Sequence, residues 1–284
     1  MLTRRGLLSG LGAASAAALF AARIGAAPLA KVKAIGTLRV ALYKDNRPWS
    51  WAEGGRILGI DAEIARAIAH KLGVSIDLAE ISADESVDDD LRNAVWKGGL
   101  LGFQPADIML HIPFDRTFAS RNDQVAIIAP YYRENFQFAC RRGEIDCDGS
   151  PAAWRGRKLA AELDSIPDFY LIGALGGSLS KDVVHYPTGW DAVSAMIQGS
   201  ADGVLATRAQ IDAGVKGQTL IDRRRMPLPA FTSAGWDIGM AVKENSRTLG
   251  DAVEEMVAAM AASGELKSIF AQQGVEWVNA KAAG

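Results

Sequence analysis

The sequence predicts a two-lobed α/β protein in which each lobe is a doubly wound mixed sheet with flanking helices. Residues 37–110 alternate apolar strand-like runs with helical patterns in the order strand, helix, strand, helix, strand, which is typical of a doubly wound unit. Residues 188–206 then repeat the plan of residues 91–110: a helix that ends at glycine, an Ala-Asp pair and an apolar strand. Two half-sized lobes explain this repeat better than one continuous sheet.

The first 27 residues have the features of an export signal. An Arg-Arg pair at 4–5 precedes an alanine-rich apolar run at 7–22, small residues follow at 25–27, and the segment contains no acidic residue. We therefore predict a signal peptide at 1–27 and a periplasmic location. The arginine pair fits the twin-arginine form of signal, and an ordinary secretory signal that contains two arginines is the alternative.

The composition of the rest of the chain excludes some classes of function. Without residues 1–27 the chain has 28 basic and 33 acidic residues, a net charge of about −5, which does not favour nucleic acid. The three histidines lack the spacing of metal ligands, so we expect no metal, and nothing in the sequence implies a cofactor. The hydrophobic fraction of 49% is sufficient for two cores.

The chain has two cysteines, Cys140 and Cys147, with six residues between them. The periplasm permits disulfides. We therefore predict that the two cysteines pair and close a short polar loop, which would stabilise the fold by roughly 2 to 3 kcal/mol through the entropy of the unfolded chain.

The first lobe begins with an apolar run at 37–43 that reads as a buried strand. The polar loop after it, KDNRPWSW, contains a proline and two tryptophans, which end the strand near its carboxyl end. Trp49 and Trp51 either cover the core or stack on a ligand. Asn46 lies in the same loop and is a further candidate ligand contact.

An amphipathic helix follows at 60–72, because four aliphatic residues recur there at every fourth position. Asp61 is its expected N-cap, and Gly73 follows its last turn. Residues 76–81 predict the second strand, and an acidic run then leads into a helix at 91–99.

Residues 107–132 hold the expected centre of the site. Apolar strands at 108–110 and 125–129 flank a polar loop, and the second strand stops at Pro-Tyr-Tyr. Loops at the ends of buried strands carry ligand contacts in α/β proteins, because the scaffold fixes them while their polar groups stay reachable. Arg121 in this loop is the main candidate, and a surface arginine is the alternative interpretation.

The predicted organisation is lobe 1 at 28–132, an inserted lobe 2 at 133–233, and a return to lobe 1 with C-terminal helices at 234–284. Strands at 136–140 and 157–163 precede the repeated unit in lobe 2. The apolar run at 234–242 is the returning strand, and the helical pattern at 246–274 is broken by Gly264.

The order of these motifs resembles the family 3 solute-binding proteins, the periplasmic receptors of amino-acid ABC importers. The motifs are KDNRPWSW with GIDAEIARAIAHKLG, then ADIML, an arginine nine residues before Pro-Tyr, QGSADGVL and ASGELKSIFAQQG. The resemblance covers essentially the whole chain after residue 27. It implies the two-lobed periplasmic binding protein type 2 fold, with the ligand in the cleft between the lobes.

The resemblance also implies site residues. By spacing, Arg121 matches the family's arginine that grips the ligand carboxylate, and a planar guanidinium suits a carboxylate. Thr207 stands where amino-acid binders commonly place the acid that holds the ligand ammonium. We therefore expect a small organic acid that lacks an α-ammonium, or an amino-acid-like solute. The expected ligand contacts are Arg121, His111, Asn46, Trp49, Trp51, Ser165 and Thr207.

Three functions stay open. The first is a monomeric receptor that delivers a small anionic solute to the permease of an ABC transporter. The second is a non-transport accessory protein, because MLHIPFDR and APYYRENFQF look closer to a branch associated with periplasmic quinoprotein alcohol dehydrogenases, including methanol dehydrogenase. The third is a dehydratase-like enzyme, for which Asp61, His111, Glu162 and Asp164 are candidate acids or bases without a diagnostic spacing. We expect the receptor, and no enzyme.

Overall fold

The computed structural model describes residues 28–99, 102–231, 233 and 235–281. The signal peptide predicted at 1–27 lies outside the described residues. The strands are β1 (Thr37–Tyr43), β2 (Trp51–Glu53), β3 (Arg56–Leu58), β4 (Ser75–Ile81), β5 (Ile108–Pro113), β6 (Val125–Glu134), β7 (Phe136–Arg141), β8 (Leu159–Glu162), β9 (Val183–Tyr186), β10 (Gly203–Thr207), β11 (Ile221–Arg223) and β12 (Trp236–Lys243). The helices are α1 (Pro28–Ile35), α2 (Ile60–Leu72), α3 (Val87–Leu91), α4 (Arg116–Arg121), α5 (Ile166–Gly177), α6 (Gly189–Ile197), α7 (Arg208–Gly214), α8 (Arg247–Ser263) and α9 (Glu265–Gln272).

Two five-stranded mixed sheets form the two lobes. The first has the order β4-β1-β5-β12-β6, in which β12 runs antiparallel to its neighbours and β4, β1 and β5 are parallel. The second has the order β11-β7-β10-β8-β9, in which β10, β8 and β9 are parallel. The chain leaves the first sheet after Glu134 and re-enters it at Trp236, so the second lobe is inserted into the first. The predicted two-lobed architecture is confirmed.

Each lobe has its own hydrophobic core. In the first lobe α2, α8 and α9 bury aliphatic and aromatic residues against one face of the sheet, among them Ile64, Ile68 and Phe270. In the second lobe Phe138 stacks on Trp154 with ring centres 4.1 Å apart. The first core also includes Ala209 of α7, so the two lobes are in contact at this helix.

The start of α2 differs from the prediction. Gly59, with φ 117°, is the N-cap. A side chain does not fit at this position, because a Cβ atom would lie 2.2 Å from the carbonyl oxygen of Trp49. Asp61 is not the N-cap: it lies in the first turn and is completely buried. At the other end, Gly73 adopts the left-handed conformation and closes the helix as expected.

The sequence predicts a polar loop between β5 and β6, and the structure has the short helix α4 there. The side chain of Asp115 accepts a hydrogen bond from the backbone N–H of Phe118 at 2.8 Å, which starts the helix α4. Strand β6 also continues past Pro130 to Glu134 instead of stopping at Pro-Tyr-Tyr. Proline is tolerated there because β6 is the edge strand of its sheet.

Cys140 and Cys147 form a disulfide, with their Cα atoms 5.8 Å apart. Arg224 holds the same loop, because its guanidinium donates hydrogen bonds to the backbone carbonyls of Cys147 and Gly149 at 2.8 and 2.7 Å. None of the helices in the described part of the chain has the length and apolar composition needed to span a bilayer.

Candidate ligand-binding cleft

A cleft of about 540 Å³ lies between the two lobes. The first lobe lines it with the loops that follow β1 and β4 and with part of β5, and the second lobe with the end of β8 and the residues that follow β9. These loops follow the carboxyl ends of parallel strands, which is where open α/β sheets bind ligands. Residues of β12 and α7 complete the lining. The side chains that matter most for its chemistry are Tyr43, Arg47, Asp90, His111, Glu162, Trp190, Gln210 and Trp236.

On the first lobe, Tyr43 and Asp90 form a buried pair in the wall. The Tyr43 hydroxyl donates to Asp90 Oδ2 at 2.7 Å, and the backbone N–H of Asp84 donates to Asp90 Oδ1 at 2.8 Å. Burial raises the pKa of Asp90, and burial together with the neighbouring Asp90 carboxylate raises the pKa of Tyr43. Hydrogen bonds to both oxygens therefore hold the Asp90 carboxyl group in the wall of the cleft.

His111 lies next to this pair, in β5. Its Nδ1 atom is 3.3 Å from Asp61 Oδ2, and its ring contacts the edge of Trp49 with ring centres 4.7 Å apart. Tyr131 donates a hydrogen bond to the other Asp61 oxygen at 2.7 Å. The wall thus contains an Asp-His pair whose imidazole is partly exposed to the cleft.

On the second lobe, Glu162 faces the cleft at the end of β8. Its Oε2 atom accepts a hydrogen bond from the backbone N–H of Gly189 at 2.9 Å, at the start of α6. Burial raises the pKa of Glu162. A Cβ atom at Gly189 would lie 2.3 Å from the end of the Gln210 side chain, which also lines the cleft, so any larger residue here would require Gln210 to move.

Arg47 connects the lobes at the cleft. Its guanidinium carbon lies 4.7 Å from the ring centre of Trp51 in the first lobe and 5.9 Å from that of Trp190 in the second. It also donates a hydrogen bond to Glu53 at 3.1 Å. Cation–π contacts of this kind are weak where water reaches them.

The charge of the lining is acidic. The described residues that line the cleft include five carboxylates and two cations, in addition to His111. Clefts lined by one sign of charge concentrate ligands of the opposite sign. The carboxylates are Asp45, Asp84, Glu85, Asp90 and Glu162, and the cations are Lys44 and Arg47. No group of three or more histidine, cysteine, aspartate or glutamate side chains within the described ranges is arranged to hold a metal ion.

Of the predicted contacts, His111 and Asn46 line the cleft. Trp49 belongs to the core, since it is 2% exposed and packs against Tyr132 and Phe270. Trp51 lies in the hairpin β2–β3, where its indole N–H donates to Glu53 at 2.9 Å.

Ser165 and Thr207 are helix N-caps. The Ser165 hydroxyl accepts from the backbone N–H of Asp168 at 3.3 Å and begins α5. Thr207 and Gln210 form a capping box that begins α7. The residue of this box that lines the cleft is Gln210, one turn after the position indicated by the sequence.

Arg121 is the last residue of α4 and does not belong to the described lining of the cleft. Its side chain is 59% exposed, and its Nε atom is 3.3 Å from Asp88 Oδ1. The guanidinium also lies over the ring of Phe118. Because the polar loop folds into α4, Arg121 pairs at the surface. Its role as the carboxylate ligand stays a prediction that this geometry does not support.

The lining residues that the sequence interpretation missed share one signal. Lys44, Ala83 and Thr188 each follow a parallel strand within a few residues, as do their neighbours in the lining. Ligand contacts commonly follow the carboxyl ends of parallel strands, and this rule, applied to every predicted strand, predicts most of these residues. For Glu162, the sequence indicates only a candidate catalytic acid or base.

No protein-family model matches the chain, and no curated protein matches its sequence significantly. Solved structures do match its fold. One is an ancestral cationic amino-acid solute-binding protein, with a TM-score of 0.68 and 17% identity over 87% of this chain and 99% of that one. Another is an amino-acid ABC transporter substrate-binding protein from Streptococcus pneumoniae bound to L-arginine, with a TM-score of 0.63 and 19% identity over 89% and 100%.

A third similar structure is a histidine kinase sensor domain with similarity to periplasmic binding proteins, with a TM-score of 0.56 and 22% identity over 84% and 97%. The fold is therefore that of the two-lobed amino-acid solute-binding proteins. Because proteins of this fold serve both transport and sensing, the function of this chain must be argued from its own cleft.

Proposed function

We propose that the protein is a periplasmic solute-binding receptor, without enzymatic activity, that captures a small solute bearing an ammonium or guanidinium group and passes it to an ABC importer. The observation that carries this proposal is the acidic cleft between the lobes, whose lining contains five carboxylates and two cations. Its volume of about 540 Å³ suits a solute of amino-acid size, since ligand pockets are roughly 300 to 1,000 Å³.

Two of the carboxylates would do most of the binding. Asp90 is buried, Glu162 is partly buried, and the two lie on opposite lobes. The other three, Asp45, Asp84 and Glu85, are exposed at the rim, where water and salt weaken their effect. A cation that touches both Glu162 and Asp90 would favour the closed arrangement of the lobes.

Aromatic side chains add to the case for a cation. Tyr43, Trp190 and Trp236 line the cleft, and the face of an aromatic ring attracts a cation. The Arg47 guanidinium already lies near the ring of Trp190. Trp190 would therefore offer a similar face to a ligand guanidinium.

The expectation of an organic anion rested on Arg121 and Thr207. Neither belongs to the described lining, and both have structural partners elsewhere. Lys44 and Arg47 are the cations that could receive a ligand carboxylate. A cationic amino acid has cationic groups for the carboxylates of the lining and a carboxylate for Lys44 or Arg47. It therefore suits the lining better than a dianion. The accessory role beside a quinoprotein dehydrogenase stays a prediction from the sequence.

Calorimetric titration with charge-matched solutes tests the proposal. L-Arginine was found in the Streptococcus pneumoniae protein of the same fold, and it is the first probe. Agmatine lacks its carboxylate, and 2-oxoglutarate is an anion without an ammonium. We expect binding of L-arginine and agmatine. Binding of 2-oxoglutarate alone would overturn the proposed charge preference, and binding of none would count against a receptor for cationic solutes.

A further inference from the structure

His111 occupies an unusual backbone position. In the pairing of β5 with β12, Ile112 pairs with Gly239 and Leu110 with Met240, so His111 is an extra residue in a β-bulge. Its φ of 65° lies in the left-handed region, which a residue other than glycine seldom adopts. A Cβ atom at Gly239 would lie 2.7 Å from the carbonyl oxygen of Ile128, so the neighbouring strand also depends on glycine here. Such bulges commonly re-aim a side chain at a site.

The bulge places His111 against a completely buried carboxylate. Asp61 Oδ2 is 3.3 Å from His111 Nδ1. Within the described residues neither of these buried atoms makes a hydrogen bond of standard geometry, so each is left to the other as a polar partner. The hydroxyl proton of Tyr131 is already donated to Asp61 Oδ1. An ionised carboxylate only accepts hydrogen bonds, so Oδ2 requires a proton on His111 Nδ1.

We propose that Asp61 holds His111 as the Nδ1–H tautomer, so that Nε2 is a hydrogen-bond acceptor that receives an N–H of the ligand's ammonium or guanidinium. This inference rests on the proposed function and makes His111 a specificity-determining residue of the same cleft. A neutral imidazole with a free acceptor selects a ligand that donates. It rejects a carboxylate or carbonyl at that position, because two acceptors would face each other.

The assignment has a consequence for pH. Protonation of His111 turns Nε2 into a donor and adds a positive charge beside the ligand cation, so binding weakens when His111 becomes protonated. The titratable groups that face His111 are Asp61 from α2, Tyr131 from β6 and Tyr43 from β1, with Asp90 hydrogen-bonded to Tyr43.

Nitrogen-15 NMR of the three histidines tests the tautomer without any ligand. The chain has His70, His111 and His185, so the signals of His111 are identified by their loss in His111→Asn. We expect the Nδ1–H pattern for His111 at neutral pH. An Nε2–H pattern would overturn the inference whatever the protein binds.

Calorimetry with L-arginine between about pH 8 and pH 5.5 tests the contact itself, across the histidine titration range. We expect the wild-type affinity to fall about tenfold as pH decreases, the scale of one charged hydrogen bond. His111→Asn keeps an amide N–H for Asp61 but has no acceptor that reaches the Nε2 position, and it should bind about tenfold more weakly at pH 8 with a flat profile. His111→Gln, whose amide oxygen can approach the Nε2 position, should recover part of the affinity.

His185 provides a matched control. Its Nδ1 atom is 3.0 Å from the buried carboxylate of Asp168, but it does not belong to the described lining of the cleft. His185→Asn should therefore keep the wild-type affinity and pH profile. A wild-type affinity and profile in His111→Asn would overturn the inference. If L-arginine and agmatine do not bind to the wild type, the proposed function fails, and the NMR pattern still decides whether Asp61 sets the tautomer.

Discussion

The carboxylate of Glu134 accepts a hydrogen bond from the backbone N–H of Ala209, with 3.4 Å between the nitrogen and each carboxylate oxygen. Glu134 is the last residue of β6 in the first lobe, and Ala209 lies in the first turn of α7 in the second. The same carboxylate accepts from the backbone N–H of Asn135 at 2.9 Å. A single buried acid therefore ties both lobes together at the first crossover.

This acid predicts a pH dependence of stability. Burial raises the pKa of Glu134 to about 8, from 4.5. The folded state thus binds a proton more tightly than the unfolded state, so this contribution to stability is present below about pH 4.5 and is lost as pH rises to about 8. Glu134→Gln keeps an accepting oxygen without the charge. We expect it to be more stable than the wild type by about 1 to 3 kcal/mol at high pH, the cost scale of a buried unpaired charge.

Urea unfolding of both proteins at several pH values measures this difference. The gap in free energy of unfolding between Glu134→Gln and the wild type should widen as pH rises from 5 to 8. Asp90 and Glu162 also have raised pKa values, but they are common to both proteins and cancel in the comparison. A gap that stays constant with pH would contradict the assignment.

The disulfide predicts the absence of reactive thiols. Cys140 and Cys147 are the two cysteines of the chain, so the denatured, unreduced protein should show no labelling with a thiol reagent. Two labelled thiols per chain would show that the pair does not form. Replacing both cysteines by alanine should lower the free energy of unfolding by roughly 2 to 3 kcal/mol, because the unfolded chain then loses its closed loop.

Much of the fold could be predicted from the sequence because it depends on local periodicity. The aliphatic spacing at 60–72 and the glycine at 73 define α2, and apolar runs define β1, β4 and β10. The repeated helix-glycine-Ala-Asp-strand unit predicted two lobes. The hairpin β2–β3 and the strand β11 were missed, since three residues are too few to show a period.

The cleft could be predicted much less well, because it depends on contacts between distant segments. The spacing between Arg121 and Pro-Tyr predicts that Arg121 lies in the site. In the structure Asp115 caps α4, the loop forms this helix, and Arg121 pairs with Asp88 at the surface. The apolar sequence of β5 does not reveal that His111 lies in a β-bulge. Nor does a helical pattern reveal that Asp61, near the start of α2, is buried against β5. These positions follow from the register between strands, which a local pattern does not carry.

Glu162 should contribute more to ligand affinity than the acids at the rim. Glu162→Gln removes a partly buried carboxylate but keeps an oxygen for the N–H of Gly189, so the second lobe should still fold. We expect it to weaken L-arginine binding by about 1.5 to 3 kcal/mol, the range for hydrogen bonds to charged groups. Glu85→Gln is the matched control at the exposed rim, and it should change the affinity by less than about 0.5 kcal/mol. Equal effects of the two changes would contradict a central role for Glu162.

The family spacing and the structure predict different effects of replacing Arg121. Its surface pairing with Asp88 predicts that Arg121→Ala binds L-arginine within about twofold of the wild type, because exposed ion pairs contribute little. The family spacing instead predicts a loss of roughly 2 to 4 kcal/mol, the cost of removing a buried partner of a carboxylate. Calorimetry of the single variant decides, and a large loss would place Arg121 in the site of the closed protein.

The two crossovers predict that the lobes move. The chain passes between sheets at Asn135 and again just before Trp236, so few covalent restraints oppose rotation. Glu162 and Asp90 lie on opposite lobes, and a cation held by both would draw them together, since a ligand favours the state in which it makes more contacts. Small-angle scattering should therefore show a smaller radius of gyration with saturating L-arginine than without it. In Glu162→Gln at the same ligand concentration the decrease should be smaller, because the second lobe has lost its charged contact. A radius that does not change in the wild type, although calorimetry shows binding, would mean that the cleft is rigid and that one lobe alone holds the ligand.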